Sequence, residues 1–181
     1  MKKTVFILTT FLLLVGCGMM GRTPTSRVED FLNKYQTLNK DVTDQLTDVI
    51  GTDNAMTKAQ RDRYKALMEE QYRDMTYTIG DEAIDGNDAT VKTQIEVYDY
   101  YGAVRDAEDY LANNPNQFEN EAGAFNEEQF INYRLDEIDN QKERITYTID
   151  FALTKNDKGD WILNNTTETD RLKIHGLYNY E

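Results

Sequence analysis

The chain has 181 residues, of which 33 are acidic and 20 are basic, so its formal net charge is −13. A surface this acidic repels phosphate backbones, and no cluster of Lys or Arg offsets the repulsion, so the composition excludes nucleic-acid binding. The length fits one domain, and the spread of aromatic residues with periodic apolar positions predicts a folded chain rather than a disordered one.

The first sixteen residues have the form of a secretory signal peptide. Lys2 and Lys3 precede an uncharged, mostly apolar run over residues 4–15. As a helix such a run rises about 18 Å, whereas a bilayer core is about 30 Å thick, so it is too short for a stable transmembrane helix. We therefore predict residues 1–16 as a cleavable signal peptide and leave them out of the fold argument.

Cys17, the only cysteine in the chain, directly follows this segment. The run Leu14-Val15-Gly16-Cys17 resembles the lipobox of bacterial lipoproteins, and the resemblance implies attachment of a diacylglycerol to Cys17 and cleavage before it. A thiolate is the nucleophile that this transfer needs. The alternatives are an ordinary signal peptide with an incidental cysteine, which would lack a disulfide partner, or an uncleaved apolar anchor.

The lipobox resemblance also implies a location. At least two acyl chains on Cys17 would hold the protein firmly to a membrane. We expect a lipid anchor on the outer face of the cytoplasmic membrane, or on the outer membrane of a two-membrane cell, which is an extracytoplasmic location.

A short tether and a long helix come next. Residues 17–25 contain glycine and proline without periodicity and are predicted as the tether. From Ser26 to Ile50, apolar residues recur every three or four positions, which predicts one amphipathic helix of about 24 residues. Thr25 or Ser26 can cap its start, and Gly51 marks its end.

A second helix is predicted after a short loop over residues 52–56. Its start resembles a capping box, Thr57-Lys58-Ala59-Gln60. Because short connections favour antiparallel neighbours, the two helices should pack as a hairpin. Its apolar face is formed by Tyr64, Leu67, Met68 and Tyr72.

The middle of the chain changes from strand to helix patterns. Apolar and polar residues alternate over 75–79 and, after a turn near 85–88, again over 89–101, which predicts an antiparallel, half-buried pair of strands. Residues 102–140 return to helical spacing, with one helix ending at 113–116 and another starting at 126–129.

Two strand signals close the domain. Residues 145–153 alternate strictly, a turn follows at 156–159, and residues 161–167 form the return strand of a hairpin. The tail, residues 168–181, is predicted as a short helical or irregular segment laid on the core. The fold class is therefore α+β, with an N-terminal helical hairpin on a curved antiparallel sheet of about four strands and a helical insertion between strands.

This order of elements resembles the NTF2-like, cystatin-like roll of small lipoproteins from Gram-positive bacteria. The resemblance rests on two runs, Thr25-Ser26-Arg27-Val28-Glu29-Asp30-Phe31-Leu32 and Gly159-Asp160-Trp161-Ile162-Leu163. It covers most of residues 25–167 and makes 26–181 one NTF2-like domain. It implies a cone-shaped cavity between helix and sheet, which can hold a ligand, a partner side chain or an active site, or be unused.

Few residues suggest catalysis or metal binding. His175 is the only histidine, and we expect it at the edge of the core or in solvent. With Cys17 committed to lipid, the counts of His and Cys exclude a metal site built from them, and we expect no cofactor.

One turn is rich in acidic and amide groups. Calcium binding would require the loop spacing of an EF-hand, which is absent because Gly86 follows Asp85 at once. A solvated hairpin turn is the favoured interpretation. The residues concerned are Asp81, Glu82, Asp85, Asn87 and Asp88.

Several tyrosines lie in or beside the predicted strands. The ketosteroid isomerases, which share the NTF2-like fold, use a carboxylate base and a tyrosine donor in their cavity. No motif here pairs a tyrosine with an acid, and tyrosine is common in sheets for packing reasons, so packing is favoured. The candidates are Tyr77, Tyr98, Tyr100, Tyr101 and Tyr147.

The function predicted from sequence is that of a non-catalytic, membrane-anchored extracytoplasmic domain that binds an envelope protein or a small ligand. The alternative is a small-molecule binder or an enzyme that uses a cavity between residues 28–50 and the sheet. A third hypothesis is a structural spacer without ligand or specific partner. An open polar cavity would favour the alternative, and a cavity packed shut by Tyr and Phe would favour the first hypothesis.

Overall fold

A computed structural model describes residues 22–180. The predicted signal peptide, Cys17 and most of the predicted tether lie outside the described residues. The described chain is α+β, as predicted. Its elements are α1 (Pro24–Gln36), α2 (Lys40–Gly51), α3 (Lys58–Asp74), β1 (Thr76–Asp85), β2 (Asp88–Tyr98), α4 (Tyr100–Asn113), a 3₁₀ turn (Pro115–Phe118), α5 (Glu127–Asn140), β3 (Arg144–Lys155), β4 (Trp161–Leu163) and α6 (Glu168–His175).

The four strands form one antiparallel sheet in the order β1-β2-β3-β4. Val91 of β2 lies opposite Phe151 of β3, and Ile95 lies opposite Tyr147. The antiparallel pairing predicted from alternation is confirmed, including the turn between β1 and β2. However, β1 extends to Asp85 rather than to residue 79, and β2 ends at Tyr98 rather than at residue 101, because Asp99 caps α4. The last strand is shorter than predicted, since β4 ends at Leu163 rather than at residue 167.

The apolar face of the sheet carries the core. In β2 and β3 every second residue is buried, and the residues between them are exposed. Helices cover the buried face, and the opposite face is polar and open to solvent. Burial of each large apolar side chain stabilises the fold by about 1.5–3 kcal/mol. The fully buried strand residues are Val91, Thr93, Ile95, Val97, Ile149 and Leu153.

The prediction of one helix from Ser26 to Ile50 is wrong, because the chain turns between α1 and α2. Leu38 has a left-handed backbone, with φ of 50°. The Asn39 N–H donates to the Lys34 carbonyl at 2.8 Å, and the Leu38 N–H donates to the Tyr35 carbonyl at 2.9 Å, which is a Schellman ending. Asn39 then caps α2.

The start of α1 also differs from the prediction. Its cap is Thr23, whose side chain accepts a hydrogen bond from the Ser26 N–H, and Pro24 occupies the first turn. Proline is favoured there because its fixed φ suits a helix and its missing N–H is not needed. Thr25, a predicted cap, instead donates to the Glu82 side chain in β1.

Helix α1 lies on the buried face of the sheet, and α3 packs beside it. The Phe31 ring meets the Phe151 ring edge-on, with 5.6 Å between centroids. The capping box predicted at the start of α3 is present, with Thr57 and Gln60 bonded reciprocally. Gln60 also donates to the Glu128 carbonyl of α5, so the cap joins α3 to the insertion.

The insertion between β2 and β3 has a small aromatic core of its own. Phe118 and Phe130 are buried there, with 5.3 Å between ring centroids, and Ala107 completes the cluster. The chain leaves the sheet at Tyr98 and returns to it at Arg144. These two residues pair with each other, which makes β2 and β3 antiparallel neighbours despite the long connection.

The tail forms α6, and this helix ends at a glycine with a left-handed backbone. Gly176 has φ of 70°, and the Leu177 N–H donates to the Leu172 carbonyl at 2.9 Å. A Cβ on Gly176 would overlap the Tyr98 carbonyl oxygen and the Gln71 side-chain nitrogen. The backbone of α6 therefore approaches α3 and β2 more closely than any other residue type would allow.

We expect Gly176→Ala to destabilise the fold strongly. The substitution adds left-handed strain of about 1–2 kcal/mol and disturbs buried hydrogen bonds, and each buried group that is left unpaired costs about 1–3 kcal/mol. The matched control is Gly159→Ala, since Gly159 has φ of 80° but open space around its Cβ position. Chemical denaturation should show a larger loss for Gly176→Ala by at least about 2 kcal/mol, and equal losses would contradict the close approach.

Candidate functional site

An apolar cavity of about 260 Å³ lies on the helical side of the molecule, between α1, α2, α3 and α6. The NTF2-like resemblance implied a cavity between helix and sheet, but no strand residue lines this one. The lining residues are Tyr35, Val42, Gln45, Leu46, Val49, Tyr72, Glu168, Arg171, Leu172 and His175.

The turn between α1 and α2 creates the cavity. Because the chain turns at Leu38, α2 forms a separate wall instead of extending α1. Leu46 is buried, while Val49 is 71% exposed at the cavity mouth. A single straight helix would have carried these side chains away from α6.

Three rings form the inner wall. Tyr35 of α1 meets Tyr72 of α3 edge-on, with centroids 5.0 Å apart and planes at 85°. The His175 ring of α6 lies 5.7 Å from that of Tyr72. Edge-on contacts of this kind stabilise aromatic pairs beyond the area that they bury.

The polar atoms of these rings have no hydrogen-bond partner in the described part of the chain. Within residues 22–180, no group hydrogen-bonds to the Tyr35 hydroxyl, the Tyr72 hydroxyl or the His175 imidazole. None of these atoms is sealed from solvent, unlike the unpartnered Thr93 hydroxyl in the sheet core. The wall therefore offers three unused hydrogen-bonding groups beside apolar side chains.

These three groups are uncharged at neutral pH. Burial, with a smaller effect of the nearby Arg171 charge, lowers the pKa of His175 to about 4. Burial raises the pKa of Tyr72, and the neighbouring Tyr35 adds to this. Burial also raises the pKa of Tyr35, partly opposed by Arg171. The cavity's full charges belong to Arg171 and Glu168, which are exposed at the rim.

Arg171 is positioned by its own helix start. Its Nη1 donates to the Thr166 carbonyl at 2.7 Å. No carboxylate in residues 22–180 lies within 4.0 Å of its guanidinium. Most of its donors therefore remain available at the cavity mouth.

The structure places the sequence-predicted tyrosines away from the cavity. Each has a structural contact instead. Tyr77 donates to Asn33 at 3.2 Å, Tyr98 donates to Asp74 at 2.9 Å, Tyr100 donates to the Leu67 carbonyl at 3.1 Å, Tyr147 donates to the Tyr178 carbonyl at 3.1 Å, and the Tyr101 ring packs on that of Tyr180.

The acidic candidates lie along the end of β1, in the turn that follows it and at the start of β2. Glu82 accepts hydrogen bonds from Thr25, and Asp88 accepts one from Thr154 at 3.0 Å. Across residues 22–180, no three His, Cys, Asp or Glu side chains converge in a way that would hold a metal ion. No helix in that same range is long and apolar enough to cross a bilayer.

His175 is the one sequence candidate that lines the cavity. It is half-buried rather than in solvent, because the close approach at Gly176 draws the end of α6 onto α3. Tyr35 and Tyr72 were predicted only as apolar helix positions, and Arg171 was not singled out. Their helical spacing could not reveal that three separate helices bring them together.

Comparisons with known proteins give one structural similarity. No family model and no curated protein matches the chain. A crystal structure of a "putative lipoprotein (ycdA)" from Bacillus subtilis subsp. subtilis str. 168 aligns with a TM-score of 0.43 and 12% identity. The alignment covers 87% of this chain and 48% of the other, so this chain spans about half the length of that one.

The pKa of His175 predicts a pH-dependent stability. Because the folded pKa is about 4 and the unfolded value is about 6.5, only the unfolded state takes up this proton between those values. The free energy of unfolding should be fully retained above pH 6.5 and should fall by up to about 3 kcal/mol as the pH drops to 4. His175→Gln removes this contribution and serves as the reference, since carboxylates affect both proteins equally.

Two measurements check this. Chemical denaturation at pH 7, 5.5 and 4 should show that the free energy of unfolding of the wild-type chain falls relative to that of His175→Gln as the pH decreases. As His175 is the only histidine, its imidazole signal in an NMR titration should have its midpoint near pH 4. A midpoint near 6.5 would contradict the buried, neutral ring.

Proposed function

We propose that this chain is a lipid-anchored, extracytoplasmic and non-catalytic domain that binds a small, mostly apolar molecule. The observation that carries the proposal is the cavity between α1, α2, α3 and α6, with its apolar wall and three unpartnered polar groups. Ligand sites are typically concave, mostly apolar and equipped with a few polar groups that fix orientation.

The anchor in this proposal is Cys17. Its support is the lipobox-like run at residues 14–17, which ends the signal-peptide-like segment 1–16 and includes Cys17. Residues 17–25 would tether the domain, although α1 begins at Pro24, so the free part of the tether is shorter than its sequence boundary. Export followed by attachment through Cys17 would hold the domain on the outer face of the membrane.

Binding rather than catalysis is supported by the protonation of the cavity groups. A general base works best when its pKa is near the operating pH, and His175 titrates near 4. No carboxylate in residues 22–180 hydrogen-bonds to the imidazole to orient it. Both cavity tyrosines have raised pKa values, so they act as neutral donors and are poor acids at neutral pH.

We also propose that the domain is a variant of the NTF2-like roll. Support comes from the position of α1 across the buried sheet face and from the Gly159 turn that leads into Trp161 of β4. The variant moves its cavity to the helical side, because α2 is separated from α1.

A thermal-shift screen of residues 22–181 tests ligand binding. The compounds are small amphiphiles, lipids, sugars and metal ions. A ligand at about 100 times its dissociation constant stabilises by about 2.7 kcal/mol, which raises the melting temperature by roughly 5–11 °C for a domain of this size. Shifts confined to mostly apolar compounds are expected.

Two variants on α2 locate the binding site. Val42→Phe places extra volume inside the cavity and should abolish the shift. Thr47→Phe adds a larger residue at an exposed position of the same helix that does not line the cavity, so it should retain the shift. A flat screen, or equal shifts in both variants, would count against the cavity and favour a protein partner.

Lipidation is tested separately in cells. Cys17→Ser should abolish incorporation of labelled palmitate and leave an uncleaved precursor, because the hydroxyl does not replace the thiolate as nucleophile. Gly18→Ala, one residue later, should be labelled and processed normally. Label on the Cys17→Ser protein would disprove attachment at this residue, since the chain has no other cysteine.

A further inference from the structure

We propose that the ligand of this cavity is an apolar molecule with one carboxylate group, and that Arg171 binds the carboxylate at the rim. This inference rests on the proposed binding function and adds the chemical class of the ligand. The apolar part would lie against α2, and the carboxylate would lie where α6 meets the inner wall.

The geometry of α6 brings the charge and the ring together. Arg171 and His175 are four residues apart on one helix, so both face the same side. Leu172, between them, also lines the cavity. A ligand group within reach of the guanidinium is therefore also close to the imidazole.

The neutral groups of the wall are suited to a carboxylate. A carboxylate only accepts hydrogen bonds, and both tyrosine hydroxyls remain protonated donors. The neutral imidazole can donate through one ring nitrogen. Together with the free donors of Arg171, these groups satisfy an anion without any further charge.

The local potential also favours an anion over a cation. Glu168 lies at the same rim, but Arg171 is the charged residue that acts on two of the inner groups: it adds to the lowering of the pKa of His175 by burial, and it partly opposes the rise that burial causes in the pKa of Tyr35. Arg171 therefore contributes positive charge next to the inner wall, although the chain as a whole carries a net charge of −13. An amine would be placed against this potential.

Three eight-carbon probes test the class: octanoate, octanol and octylamine. They share a chain and differ only in the head group. In calorimetric titrations at pH 7, octanoate should bind about tenfold more tightly than octanol, which is the size expected of one good charged hydrogen bond. Octylamine should bind more weakly than octanol.

Substitution of the arginine separates charge from shape. Arg171→Gln should weaken octanoate about tenfold and leave octanol within about twofold. The control is Arg73→Gln, an exposed arginine on α3 that bonds to its own helix carbonyl and does not line the cavity. Arg73→Gln should change neither affinity.

A measurement on the wild-type chain tests whether the carboxylate lies near His175. Bound octanoate should raise the pKa of His175 by about one unit, because a nearby anion favours the imidazolium, and octanol should not. If octanol or octylamine binds as well as octanoate, or if Arg171→Gln has no effect, the carboxylate inference is overturned while the binding function stands. If none of the probes binds, both proposals fail.

Discussion

The side-chain amide of Gln71 holds the end of β2 and the end of α6 against α3. Gln71 is fully buried; its oxygen accepts from the Tyr98 N–H at 2.8 Å, and its nitrogen donates to the Tyr98 carbonyl at 2.9 Å and to the His175 carbonyl at 3.1 Å. A buried amide without partners is costly, so this arrangement resists displacement. The adjacent residue, Tyr72, and the bonded residue, His175, are both cavity residues. One amide therefore sets the distance between the sheet and the inner wall of the site.

Because α2 is separated from α1, the two helices have different positions: α1 packs on the sheet and α2 lines the cavity. Helix α1 packs on the sheet face, with Phe31 against Phe151, and the cavity lies elsewhere, away from the strands. Helix α2 instead stands over Tyr35, Tyr72 and the end of α6. The polar groups of the inner wall stay neutral because they are buried. The charged residues Arg171 and Glu168 lie at the rim, where water solvates them. This arrangement supports the proposed binding of a ligand.

The sheet could be predicted from sequence because its signal is local. Alternation in β2 and β3 reflects one buried and one solvated face, and the glycines at residues 86 and 159 mark tight turns. The break at Leu38 could not be predicted, because the left-handed position of a Schellman ending is normally glycine and the apolar period runs through it unbroken. The cavity could not be predicted either, since Tyr35, Tyr72 and Arg171 come together only through tertiary packing. The lipid anchor at Cys17 stays a prediction from its motif.

Helix α2 supplies four of the residues that line the cavity, and none of the four belongs to the sheet. Val42, Leu46 and Val49 shape the cavity, yet they take no part in strand register or in the bonds around Gln71. Substitutions at the half-buried Val42 and the exposed Val49 can therefore change the size and polarity of the pocket without altering strand register, whereas Leu46 is constrained because it also belongs to the main hydrophobic core.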